Sequence, residues 1–161
     1  MRRARASAIL RLVRNVSPVL VSALVLASCG GGAAEPQRHF GDVMSEVGRR
    51  FERAGRAAKA GRWELARYDL DELDEIFEDD VPHAATPPDV HADLQGLAHA
   101  FAVAHPPALR RAAAAHDGAA FEAAFRDAAT ACNACHAAAH RAFVEVPTTW
   151  GEPVPVVTPA P

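Results

Sequence analysis

The sequence is poor in cysteine and lacks long apolar runs. Three cysteines among 161 residues exclude a disulfide-rich scaffold, and 50% hydrophobic with 23% charged residues indicates a compact soluble domain. The apolar run at residues 16–27 is too short for a permanent membrane span. Strict alternation of apolar and polar residues is also absent, which argues against a β architecture.

The N-terminus has the layout of a secretory signal. Residues 1–28 carry five arginines and no acidic residue, then apolar and small residues lead to Cys29. Leu26, Ala27 and Ser28 resemble a bacterial lipobox, which predicts that residues 1–28 are removed and Cys29 is lipidated. The alternative is an ordinary signal peptide cleaved near Ala27, and both alternatives predict export.

The mature chain is acidic. Loss of residues 1–28 leaves 12 basic and 20 acidic side chains, a net charge of about −8 with histidine neutral. This charge disfavours nucleic acid and favours a protein partner with a basic docking face. Because Gly30 replaces the aspartate that retains some lipoproteins at the inner membrane, we expect a lipid-anchored protein on the periplasmic side of the envelope, with the outer membrane preferred.

Composition divides the mature chain into three parts. Residues 29–38 are rich in glycine without apolar periodicity, which predicts a flexible linker. Residues 147–161 contain five prolines and predict an extended tail. Residues 39–146 therefore form the predicted folded domain.

Apolar residues in this domain follow helical periods. Helices A and B are predicted on either side of Gly61, and Pro82 ends helix B. Asp89 is the predicted N-cap of helix C, which Pro106 and Pro107 kink or split. The predicted faces are Phe40, Val43, Met44, Val47 and Phe51 in A; Trp63, Ala66, Leu70, Leu73 and Phe77 in B; Val90, Leu94, Leu97 and Phe101 in C.

Helix D is the longest predicted helix and runs from Asp117-Gly118 to Pro147. Its apolar face contains Phe121, Phe125, Ala128, Cys132, Cys135, His136, Ala139 and Phe143. Four such helices predict an all-α, antiparallel four-helix bundle in which the cysteines lie mid-helix and face inward. An alanine-rich core of this kind is thin, so a planar cofactor would fill it.

The segment Cys132-Asn-Ala-Cys135-His136 has the spacing C-x-x-C-H, which is typical of covalent c-type haem attachment. Two thiols three residues apart can bond the two vinyl groups on one porphyrin edge, and the next imidazole can reach the iron. On a helix these side chains share one side. A dithiol redox pair, a zinc site and a structural disulfide stay open as alternatives.

The iron of such a haem has a second face. His136 is the predicted proximal ligand, and Met44 on helix A is the predicted ligand on the opposite face, although a core role is the alternative. His140 lies one turn after His136 and hence on the same side. His39, His99 and His105 are weaker candidates for the distal ligand.

A C-x-x-C-H near the C-terminus of a four-helix domain resembles the class II cytochromes c, including cytochrome c′ and its low-spin relatives. The segments RWELARYDLDEL (residues 62–73) and TACNACH (130–136) carry the resemblance, which covers about residues 40–147. In the low-spin relatives a methionine of the first helix binds iron, and Met44 matches it. In cytochrome c′ proper an open, apolar distal face, here Phe40, Val47 or Phe51, accepts nitric oxide or carbon monoxide.

These patterns predict a monohaem cytochrome that carries single electrons between redox partner proteins and is not an enzyme. Methionine on iron raises the reduction potential relative to two histidines. A five-coordinate protein that binds or senses NO or CO is the alternative, and a bundle without a cofactor is a third hypothesis. The oligomeric state stays open, with a homodimer as one option.

Overall fold

The computed structural model describes residues 37–151. The predicted signal peptide (1–28), the lipidation site Cys29, most of the linker and residues 152–161 of the tail lie outside the described residues. Apart from an isolated bridge between His39 and Ala85, the described part has helices and no strands, which confirms the all-α fold. None of its helices is long and apolar enough to cross a membrane.

The helices follow the predicted periods closely. The α-helices are α1 (Phe40–Lys59), α2 (Trp63–Glu75), α3 (Leu94–Ala104), α4 (Pro106–Ala114) and α5 (Gly118–Ala138). After α2 the chain continues through one π-helical turn, Ile76–Asp80, and one 3-10 turn, Val81–His83. Pro82 lies in that last turn. Because proline has no amide hydrogen to donate, the helical stretch that began with α2 ends there.

Helices α1 and α2 form a tight antiparallel pair joined at Gly61, whose φ of 70° favours glycine. Asp69 of α2 is fully buried between two arginines of α1. Arg53 contacts both carboxylate oxygens, at 2.8 Å and 2.7 Å, and the Nη1 atom of Arg50 donates to Oδ1 at 3.2 Å. A buried carboxylate needs such partners, so this cluster fixes how α1 and α2 pack.

The third predicted helix is divided, as its two prolines indicated, with α3 ending at Ala104 and α4 beginning at Pro106. The predicted N-cap was wrong: the side chain of Asp93, not Asp89, accepts from the amide of Gly96 and starts α3. Asp89 instead accepts a hydrogen bond from Arg141 at 2.6 Å, which lowers the pKa of its carboxyl. Leu97 was expected on the inner face but is 38% exposed.

Aromatic side chains join α5 to α1 and α2. Phe125 stacks on Phe51 with ring centroids 4.2 Å apart, and Phe121 meets the edge of Trp63 at 6.1 Å. Trp150, in the first residues of the Pro-rich segment, lies 5.6 Å from Phe121. These rings supply the large apolar area that the many alanines of the core do not.

Gly55 of α1 packs directly against the ring of Phe125 in α5. A Cβ atom at this position would lie 2.7 Å from the ring of Phe125, so we expect Gly55→Ala to destabilise the protein by about 1–3 kcal/mol through overpacking. Gly48 is the matched control in the same helix, because a Cβ there meets no atom within 4 Å. Gly48→Ala should stabilise by up to about 1 kcal/mol through helix propensity. Urea unfolding of both variants tests the pair, and equal effects would contradict this packing.

Candidate haem-attachment site

The cysteine-histidine motif occupies the last two turns of α5, not the middle of a longer helix. Helix D was predicted to continue to Pro147, but α5 ends at Ala138. The amide of Arg141 donates to the carbonyl of His136 at 2.7 Å, and the amide of His140 donates to that of Ala137 at 3.1 Å. With His140 in the left-handed region at φ 58°, these bonds form a Schellman motif that reverses the chain.

The reversed chain returns alongside α5 and contacts the motif. The side-chain amide of Asn133 donates to the carbonyl of Val146 at 2.9 Å, and its oxygen accepts from the amide of Val146 at 2.7 Å. Val146 itself is buried. The segment 144–146 is therefore held against the motif by a two-bond clamp, and Phe143, expected on the inner face of a continued helix, is 65% exposed.

His136 has a definite ring orientation in this arrangement. Its Nδ1 atom lies 2.6 Å from the carbonyl oxygen of Val144. Because a carbonyl oxygen can only accept, Nδ1 must carry the proton and donate. In the neutral ring Nε2 then keeps its lone pair, which is the form of histidine that binds a metal.

The two motif cysteines lie on neighbouring turns of α5 and are both half-buried against the core. Burial raises the pKa of Cys132 to about 12, with repulsion from Cys135 as a smaller cause. Burial also raises the pKa of Cys135. Neither thiol forms a disulfide within the described residues.

This environment disfavours two of the open alternatives. A dithiol redox pair needs a thiolate of lowered pKa, whereas burial here raises both values. The cysteines do not form a disulfide with each other. No group of three or more His, Cys, Asp or Glu side chains within residues 37–151 is placed to hold a metal ion. The zinc site stays open as an alternative.

No protein-family model, curated protein or solved structure matches the chain.

Met44 lies in α1, half-buried against the core. Near the other end of α1, Gly55 and Phe51 contact Phe125, which lies in the first half of α5. Met44 and the motif residues thus lie on different helices, Met44 in the first half of α1 and Cys132, Cys135 and His136 in the last two turns of α5.

The other histidines are spread over the molecule. His39 and His99 are exposed, His140 is the exposed residue that reverses the chain after α5, and His105 lies between α3 and α4 with its ring 5.2 Å from Phe101. Sequence reasoning missed Asn133 and Val144 as parts of the site. Asn133 lies inside the motif, but its partner is 13 residues away and is a backbone group, for which the residue pattern carries no signal.

Proposed function

We propose that this protein is a monohaem c-type cytochrome of the class II type, which carries single electrons outside the cytoplasm and catalyses no substrate turnover. One observation carries the proposal. Two free thiols lie on neighbouring turns of α5, and the adjacent His136 is oriented by Val144 so that Nε2 is free to bind iron. The spacing of the motif alone suggests haem attachment. The hydrogen bond from Nδ1 supports it, because it leaves Nε2 unprotonated, as an iron ligand requires.

We further propose that the helices form the antiparallel four-helix bundle of that class, with α3 and α4 acting as one divided helix. Short turns join α1 to α2 and α4 to α5, which favours antiparallel neighbours. Trp63, the first residue of α2, stacks on His116, two residues after the end of α4, with ring centroids 5.6 Å apart. The start of α2 thus lies beside the chain that leaves α4, as expected for antiparallel helices.

The residues present fit a covalent haem. Cys132 and Cys135 would hold it by thioether bonds, His136 would bind the iron, and Met44 would bind it from the opposite face. The group would supply a one-electron Fe(III)/Fe(II) couple. The exposed apolar side chain of Phe143, next to the segment 144–146, offers further apolar surface near the site.

We also propose that the protein is exported and anchored to the membrane through a lipid on Cys29. Its acidic mature chain would then bind redox partners that carry a basic docking face. Purification of the full chain from a host that matures c-type cytochromes tests it. We expect intact-protein mass spectrometry to show the mature polypeptide plus one haem, and a potentiometric titration to show one reversible electron. A colourless protein in which both motif thiols react with an alkylating agent would overturn the proposal.

A five-coordinate haem that binds NO or CO is the second candidate, and the burial of Phe40, the apolar first residue of α1, favours it. An apolar ring opposite the proximal ligand would exclude a protein ligand and leave space for a diatomic gas. Rapid CO binding by the reduced wild-type protein would select this candidate over the electron carrier.

A further inference from the structure

We propose that Asn133, a non-ligand residue between the two cysteines, is a positioning residue that sets the orientation and the electron donation of His136. This inference rests on the proposed haem function. Its basis is the geometry of the segment that follows α5, where a backbone carbonyl outside any helix accepts the hydrogen bond from His136. A loop carbonyl can hold an imidazole firmly only if the loop is itself held.

Asn133 provides that restraint. Its amide group makes two hydrogen bonds with one residue, donating to the Val146 carbonyl and accepting from the Val146 amide. This pair of hydrogen bonds resembles those between neighbouring β-strands, and it holds both the amide and the carbonyl of Val146. Two residues earlier the same segment presents the Val144 carbonyl to His136 Nδ1 at 2.6 Å.

The spacing on α5 makes this coupling possible. Asn133 and His136 are three residues apart and therefore neighbours on the helix surface. The segment 144–146 lies across both side chains. Asn133 therefore anchors the same backbone segment that orients His136. At its other end the loop is tied by the Arg141 to Asp89 ion pair, at 2.6 Å, which connects it to the chain before α3.

The chemical consequence concerns the iron ligand. A hydrogen bond from Nδ1 to a carbonyl makes Nε2 a stronger donor, which stabilises Fe(III) over Fe(II) and lowers the reduction potential. Asn133→Ala leaves all three attachment residues in place but removes both bonds to Val146. The Val144 carbonyl is then held less firmly, the bond to His136 weakens, and the potential should rise.

The experiment compares wild type, Asn133→Ala and a control, Thr130→Ala. Thr130 lies one turn earlier on α5, and its hydroxyl donates to the carbonyl of Arg126 within the same helix. In Asn133→Ala we expect the Val146 amide hydrogen to exchange with solvent roughly tenfold faster or more than in the wild type, as measured by NMR. We also expect a higher reduction potential, and Thr130→Ala should show neither change.

Each other outcome is decisive. Faster exchange with an unchanged potential would show that the clamp exists but does not position His136, which overturns the proposal. A Val146 amide that exchanges as an unstructured amide in the wild type would overturn it even if Asn133→Ala did not fold.

If the wild type carries no haem, the proposed function fails, and NMR of the His136 ring then decides about the clamp. We expect the Nδ1–H form in the wild type and a mixture in Asn133→Ala, and the same form in both would overturn the clamp.

Discussion

Replacement of both motif cysteines, Cys132→Ala with Cys135→Ala, is expected to abolish covalent haem attachment completely. The two sulfur atoms are the only groups of the site that can bond the porphyrin edge, and no third cysteine lies in the folded domain 39–146. The measurement is the mass of the intact protein after maturation in the same host as wild type. Each single replacement should leave one thioether and reduce the yield of haem-loaded protein.

The chain provides a matched control in its third cysteine. Cys29→Ser removes the predicted lipid anchor but should leave haem attachment unchanged, because Cys29 lies outside the folded domain. Circular dichroism should show unchanged helix content in the double variant, since alanine is the best helix former. A double variant that still carries covalent haem would exclude these thiols as the attachment points.

The second large effect concerns Met44. If its thioether binds iron, Met44→Ala should remove the weak charge-transfer band from sulfur to ferric iron and convert a low-spin spectrum into a high-spin one. The reduced variant should bind CO rapidly and stoichiometrically, where the wild type binds little. The reduction potential should fall, because methionine ligation raises it. Optical spectra with and without CO measure these changes.

Val43→Ala is the control for a change of packing alone. Val43 precedes Met44 in α1 and is fully buried, so its truncation should lower the free energy of unfolding by about 1–3 kcal/mol. It should leave the haem spectrum unchanged. An unaltered spectrum in Met44→Ala would remove Met44 as a ligand, and a high-spin wild type would then favour the gas-binding candidate.

The segment WELARYD, on which part of the class II resemblance rests, has a packing role in this structure. Trp63 contacts His116 in the turn after α4 and Phe121 in α5, and Ala66 is fully buried. The guanidinium of Arg50 lies 5.7 Å from the ring centre of Tyr68, next to its pairing with Asp69. The segment thus joins α2 to its neighbours, and the chemistry of the proposed site belongs to the end of α5.

Much of the helical structure could be predicted because it depends on local rules. The apolar periods of α1 and α2, the break at Gly61 and the division at Pro106 follow from side-chain spacing, from glycine's freedom at positive φ and from proline's missing amide hydrogen. The attachment motif could also be recognised, since its thiols and imidazole are close in sequence. The sequence by itself thus determined the helices, their interruption and the residues of the proposed attachment.

Only the tertiary structure decided where α5 ends and what surrounds the motif. No residue between Ala139 and Val146 forbids a helix, but the chain reverses at His140, because bonds to Asn133 and His136 replace those that a continued helix would make. Asp69 is buried between two arginines, which no local pattern distinguishes from the exposed acids around it. In each case the deciding partner is distant in sequence, and its free-energy contribution exists only once the helices have packed.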